Sequence, residues 1–200
     1  MRRAIIFGKG GHSKMIASFL DGYEITFIDK DQEEQIWANP QKYSETNFYL
    51  GIGDNSIRAK IFNRLKALKL NLPVCIGANA HIAKDVLLGD GVFIGAGAIV
   101  LSGCKIGNNT IINTLSSVDH DCIIGQHTQI TAGVTLAGEI IIGENCYLGV
   151  KSAVIPQVKI GNNVQIMAGS LVTKDCLDNY IYGGYPSRII KSLGKDDQNA

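Results

Sequence analysis

Stepping by six from Ile76 meets an aliphatic side chain every time: Ile76, Ile82, Leu88, Ile94, Val100, Ile106, Ile112, Val118, Ile124, Ile130, Leu136, Ile142, Leu148, Val154, Ile160, Ile166 and Val172. Ile, Leu and Val fill 54 of the 200 positions, so a run of seventeen in phase has a chance probability on the order of 10⁻¹⁰. Four residues after each aliphatic comes a second, smaller position, running Ala80, Val86, Val92, Ala98, Cys104, Thr110, Ser116, Cys122 and onward to Cys176. The residue directly after the aliphatic is often glycine, as at Gly77, Gly89, Gly95, Gly107, Gly125, Gly143, Gly149 and Gly161. This pattern specifies a parallel β-helix: three hexads per triangular coil, one short strand per face and the aliphatics filling the prism. Gly and Asn, as at Asn108, Asn109, Asn162 and Asn163, take the tight corners. Coils stack at the strand spacing of about 4.8 Å. Seventeen hexads make between five and six coils. An amphipathic helix needs a period near 3.6, which these spacings lack.

Residues 1–75 follow a different rule. Arg3 to Phe7 is a short apolar strand, followed by Gly8-Lys9-Gly10-Gly11-His12-Ser13 and an amphipathic helix from about Ser13 to Leu20. Glu24 to Ile28 and Phe48 to Ile52 are further strands, ending in Asp29-Lys30-Asp31 and Gly53-Asp54-Asn55. Ser56 is placed to cap a helix through Ile57, Ile61, Leu65 and Leu68, and Pro73 to Ile76 reads as a fourth strand of the sheet that feeds the first coil. The expected organisation is a small parallel α/β sheet (1–75), a β-helix (76–177) and a C-terminal tail (178–200) whose polar end after Leu193 is expected to be disordered.

A formal net charge of +1 argues against nucleic acid or a membrane surface as the main partner. No apolar run reaches the ~18 residues of a membrane helix. The opening MRRAIIFGKGG breaks at Gly8 and reads as a strand rather than a signal peptide, so a cytoplasmic location is the expectation. Of the five cysteines, Cys104, Cys122, Cys146 and Cys176 take the small inward position, where a thiol serves as a compact hydrophobe, and Cys75 precedes the first hexad. Cys104 and Cys122 lie one coil apart and should stack, with a disulfide disfavoured in a reducing cytoplasm.

Two places carry candidate chemistry. The glycine-rich loop after the first strand, Gly8, Gly10, Gly11 and His12, suits a nucleotide phosphate; Asp29 or Asp31 then suits a ribose hydroxyl. Ser13 stands where the third glycine of GxGxxG would be, and the half is too short for a two-fold dinucleotide fold, so the expectation is a mononucleotide site. A plain strand-to-helix turn is the alternative. In the coil, His81, His120 and His127 all fall off the inward positions and are expected at corners or outer faces. His120 lies in a polar segment, Asn113-Thr114-Leu115-Ser116-Ser117-Val118-Asp119-His120-Asp121-Cys122. Flanked by two aspartates, it suits a general base, the alternative being a solvated corner histidine.

Asn113-Thr-x-Ser-x-x-x-His120-Asp121-Cys, with Ala137-Gly138, Leu148-Gly149 and Gly184-Tyr185-Pro186, resembles the left-handed β-helix acyltransferases. The sheet bearing GKGGHS and Gly51-Ile-Gly-Asp-Asn-x-x-Arg58 narrows the resemblance to the PglD/NeuD-like sugar acetyltransferases, nearest to the UDP-4-amino-sugar N-acetyltransferases of bacillosamine synthesis. It covers roughly residues 3 to 191.

The resemblance implies a homotrimer with active sites between prisms, acetyl-CoA as co-substrate, a nucleotide-linked amino sugar as acceptor and no metal. It implies His120 as base, Asp121 as its orienting carboxylate and Asn113 as a polar neighbour. Gly138 would polarise the thioester carbonyl through its N–H, Gly149 and Ala168, Gly169 and Leu171 would line the pantetheine, and Pro186 would lie near the adenine. Gly8, Gly10, Gly11, His12 and Gly53 would meet the nucleotide sugar, with Asp29, Lys30 and Asp31 near the base. Many relatives carry a second histidine nine residues after the base, where this chain has Gln129, with His127 two residues earlier. Other readings are an O-acetyltransferase of sialic acid or a related nonulosonate, an N-acetyltransferase of a GDP-linked 4-amino sugar, a zinc hydratase using His81, His120 and His127, and a non-enzymatic nucleotide-sugar sensor.

Overall fold

The computed structural model describes residues 2–194. The polar end expected to be disordered lies, from residue 195 onward, outside the described residues.

Residues 2–67 form a three-stranded parallel sheet in the order β2-β1-β3, built from β1 (Arg2–Phe7), β2 (Tyr23–Ile28) and β3 (Thr46–Leu50). The connections are α1 (Gly11–Ala17), α2 (Glu34–Ala38), flanked by single 3₁₀ turns at Lys30–Gln32 and Pro40–Tyr43, and α3 (Asn55–Ala67). Three expectations shift. The first helix begins two residues earlier, at Gly11. The cap of α3 is Asp54 rather than Ser56: its Oδ1 accepts from the Ile57 N–H at 2.7 Å and from the Ser56 hydroxyl at 2.9 Å. Residues 73–76 do not join the small sheet; Cys75–Ile76 pairs with Phe93–Ile94 in the coil, and only Asn71 bridges back to Asn47.

From Cys75–Ile76 to Leu171–Val172 run seventeen two-residue strands, β4 to β20, wound as a left-handed parallel β-helix. Each strand pairs with the one eighteen residues on, as Ile111 does with Gln129. The first face stacks Cys75–Ile76, Phe93–Ile94, Ile111–Ile112, Gln129–Ile130, Tyr147–Leu148 and Gln165–Ile166; the second runs from His81–Ile82 to Leu171–Val172, and the third from Leu87–Leu88 to Lys159–Ile160. The inward aliphatics from Ile94 to Val172 are buried, each contributing roughly 1.5–3 kcal/mol over leaving it exposed. Ile76 is 49% exposed because it sits at the open first coil, with no coil beneath it.

The small inward positions behave as the period requires. Cys104, Cys122, Cys146 and Cys176 are buried free thiols. Thr110 and Thr128 turn their hydroxyls to the Gly125 and Gly143 carbonyls of the next coil at 3.0 and 2.9 Å. Corner residues such as Asn109, Asp121, His127, Glu139 and Asn163 hold a left-handed backbone, φ 54–61°.

After Val172 the described chain runs on to residue 194. β21 (Tyr180–Gly184) extends the first face and turns into the antiparallel β22 (Ser187–Ser192), with Tyr182 closing the top of the core. Within the described residues no helix is long and apolar enough to cross a membrane.

The small sheet is clamped between two apolar layers. Ile5, Phe7, Phe48 and Leu50 pack under α2 and α3; Ala4, Ile6 and Tyr49 pack with Ile16 of α1 directly onto Cys75, Phe93 and Ile111 of the first face. Arg58 of α3 fastens the joint. Its guanidinium, 1% exposed, donates to the carbonyls of Ile52, Gly53, Asn109 and His127 and to Asn55 Oδ1, at 2.8–3.4 Å. Burial pushes its pKa down to about 10, so it stays charged at neutral pH.

Candidate active site

The corner between the second and third faces carries 101–104, 119–122 and 137–140 in successive coils. Here the His120 Nδ1 lies 2.9 Å from Asp121 Oδ2. An ionised carboxylate only accepts, so Nδ1 carries the proton and Nε2 presents its lone pair. The backbone N–H of His120 is held by Asp119 Oδ1 at 2.8 Å. The hydrogen bond to Asp121 raises the His120 pKa, assisted by Asp119 and Glu139.

Gly138, one coil on, underlies the ring. A Cβ there would stand 2.5 Å from His120 Nε2 and 2.6 Å from Cε1, so only glycine admits this ring position. The Gly138 N–H has no partner among the described residues. Three predicted residues therefore come together: a histidine with a free Nε2, its orienting carboxylate and a spare backbone donor.

The other predicted coil residues lie one face away. Asn113 sits at the corner between the first and second faces, its Oδ1 accepting from the Thr114 N–H at 2.7 Å. On the same corner, a Cβ at Gly149 would meet the Ala168 N–H nitrogen at 2.5 Å, so coil stacking alone accounts for that glycine. Ala168 and Gly169 are exposed beside it, Leu171 starts the last strand of the second face, and Pro186 occupies the exposed β21–β22 turn.

His127 stands at a corner, as expected, but is covered there. It is 4% exposed, because α3 docks on its corner. Its ring meets Phe62 edge-on at 5.5 Å, its Nδ1 lies 2.8 Å from Asn109 Nδ2, and burial lowers its pKa. It is therefore withheld from any second-histidine role. Gln129 lies on the first face with Oε1 buried and unpartnered among the described residues.

The carboxyl ends of β1, β2 and β3 converge on the second candidate region. Gly8 has φ +96° and packs against Gly51 and Ser13. A Cβ at Gly51 would fall 2.6 Å from the Ser13 Cα, which explains the glycine after β3. By contrast a Cβ at Gly10, Gly11 or Gly53 would meet nothing, so these open onto free space. Lys9 Nζ pairs with Asp29 Oδ2 at 2.5 Å, and the Asp29 N–H donates to Gln32 Oε1 at 3.3 Å across the following turn, on which Lys30 and Asp31 are exposed. His12 stands edge-on to Phe93 at 4.7 Å with Nε2 buried and unpartnered, and burial, then Arg58, lowers its pKa to about 4. It is neutral at physiological pH, a hydrogen-bonding group rather than a cation for phosphate.

Sequence reasoning missed a cleft of about 550 Å³ between α3 and the upper first face. Gly53, Asn55, Lys60 and Asn63 line one side, and Asn145, Tyr147, Asn163 and Gln165 the other. Its linear signal is a polar residue at an outward position of the first face, Gln165, where Phe93 and Ile111 are apolar. Among the described residues, no three His, Cys, Asp or Glu side chains group closely enough to hold a metal ion.

The PglD N-terminal domain family matches residues 3–65, the bacterial transferase hexapeptide family 103–138 and 139–174, and the hexapeptide repeat of succinyl-transferase 73–102 and 85–114. No curated protein sequence matches the chain. Among solved structures, PerB from Caulobacter crescentus in complex with CoA and GDP-perosamine is 30% identical, with a TM-score of 0.89 over 94% of this chain and 97% of its own. A His→Asn variant of perosamine N-acetyltransferase from the same organism, with the same two ligands, is 29% identical at a TM-score of 0.89, covering 94% of this chain and 97% of its own. The acetyltransferase domain of PglB from Neisseria gonorrhoeae FA1090 is 28% identical, with a TM-score of 0.90 over 95% of this chain and 100% of its own.

Proposed function

The chain belongs to the sugar acetyltransferases that join a PglD-type N-terminal domain to a β-helix of hexapeptide repeats, and on that premise we propose that it transfers the acetyl group of acetyl-CoA to the 4-amino group of a nucleotide-linked amino sugar. The observation that carries this reading is His120, with Nδ1 bound to Asp121 and Nε2 free above a side-chain-less Gly138.

The sugar amine attacks the thioester carbonyl carbon. Nε2 of His120 takes the proton the nitrogen sheds, and Asp121 stabilises the imidazolium. The Gly138 N–H donates to the carbonyl oxygen as it gains charge. The C–S bond breaks, CoA leaves as thiolate and recovers the proton from His120. The chain needs no acyl-enzyme: its cysteine thiols are buried, four in the prism and Cys75 beneath the small sheet.

The nucleotide is held at the strand ends. Gly10, Gly11 and Gly53 leave room there, and His12 Nε2 is a buried polar atom without a partner among the described residues. The cleft beside Gly53 takes the sugar; its volume and its amide lining suit hydroxyl-rich ligands. The resemblance favours UDP, whereas the acceptor bound to PerB is GDP-perosamine, so both nucleotides belong in the test.

This cleft, the His120 corner and the Asn113–Gly149–Ala168 corner stay apart within one protomer. This reading therefore needs a neighbouring copy, and the homotrimer that the resemblance implies would set His120 of one copy against the cleft of the next. Exposed Ile99 on the second face and Ile123 and Ile141 on the third flank the His120 corner, as a covering neighbour requires.

His120→Ala tests the base assignment. Turnover should fall by about 10²–10⁴ with the oligomer intact; near-normal turnover would refute it.

A further inference from the structure

The corner beneath His120 holds a clearance that the coil does not need for itself. A Cβ on Gly103 would collide with Asp121 Oδ1 in the next coil. Backbone geometry does not demand glycine here: Gly103 has φ +77°, and Asp121, Glu139 and Gln157, stacked above it, hold φ 58–66° while carrying side chains.

Comparable clearances elsewhere knit the coils together. Gly89 makes room for Asn108, whose Oδ1 accepts from the Asp90 N–H at 2.9 Å; Gly143 makes room for Asn162, whose Oδ1 accepts from the Glu144 N–H at 2.9 Å. Asp121 forms no such rung. The Gly103 N–H is taken instead by Asp85 Oδ2 from the coil below, at 2.9 Å, and the same oxygen accepts from Ser102 Oγ at 2.7 Å. The Ser102 carbonyl in turn accepts from the Asp121 N–H at 2.9 Å. The Asp121 carboxylate is thus left to bind His120.

We infer that Gly103 is a positioning residue for the His120–Asp121 pair, and that Asp85, by pinning the Ser102–Gly103 turn, holds the clearance open. This rests on His120 being the base. Asp85 touches neither His120 nor Gly138, so it acts only through the turn. The charged groups around His120 are Asp119 and Asp121 on its own corner and Glu139 on the next coil, and none is altered by the test variants.

The test follows the His120 Cε1–H signal by NMR across pH, with kcat and its acid limb, in Gly103→Ala, Asp85→Ala and Asp85→Asn. Gly103→Ala should displace Asp121, move the His120 midpoint and the acid limb to lower pH, and cut kcat by about 10–100-fold with the KM for acetyl-CoA unchanged. Asp85→Ala, at an exposed site, should move them the same way by less, and stands in if Gly103→Ala does not fold. Asp85→Asn keeps an acceptor oxygen and should restore both. An unmoved midpoint in Gly103→Ala and Asp85→Ala, while His120→Ala is inactive, overturns the positioning role alone. Activity surviving in His120→Ala overturns the base assignment, and the NMR midpoints then decide the positioning role separately.

Discussion

His120 differs from His12 and His127 in what its ring nitrogens meet. Burial keeps those two neutral, whereas His120 is exposed and tied to a carboxylate. Asp121→Asn removes the leading cause of its raised pKa, so its midpoint should drop and the acid limb of kcat/KM should move to lower pH, while kcat falls because the imidazolium loses its counter-charge. The sign extends to stability. A raised histidine pKa stabilises the fold most below the unfolded value and fades as pH rises through the folded one, so Asp121→Asn should lower the melting temperature more at pH 5.5 than at pH 8.5. Gly138→Ala should drive His120 off its seat and lower kcat without loosening the coil, which circular dichroism with steady-state rates would register. The juxtaposition of His120 and Asp121 was legible in the sequence because a polar run broke the Gly/Asn habit of the corners. The fate of His127 was not: a period fixes which side chains face inward, and says nothing of a helix docked outside.

At the scale of elements, the coil was legible throughout because its hexads run without insertion, so every strand inherits its neighbour's register. The strand feeding the first coil is present, but it leaves the small sheet: Pro73 to Ile76 is an apolar run that looks the same whether it pairs with β3 or with Phe93–Ile94, and stacking on the coil buries Cys75. The joint between α3 and the coil rests on Arg58. Arg58→Ala should cost about 2–4 kcal/mol in urea unfolding, since it strips donors from buried carbonyls and leaves a cavity. Arg58→Lys should recover little of it, because one ammonium cannot reproduce a planar fork. The cleft escaped sequence reasoning for the same reason that Arg58 matters. Asn55 and Asn63 lie about 80–110 residues from Asn145 and Asn163, and only docking brings them face to face.

For the whole molecule, the cleft and the His120 of a single chain lie on different corners, so the proposed reaction requires a second copy of the chain. Ile123→Asp with Ile141→Asp places charge on the exposed third face and leaves the prism core untouched. Sedimentation should show smaller particles, circular dichroism an intact coil, and assays a loss of turnover; full activity in the dissociated protein would remove the need for a neighbour. The most direct test of the central claim is CoA thiol release from acetyl-CoA with UDP- and GDP-linked 4-amino sugars beside free sialic acid. Rapid release with one of the nucleotide-linked amino sugars, and an acetamido product, is the predicted result. Release with sialic acid alone, or none with any nucleotide-linked amino sugar, would contradict it.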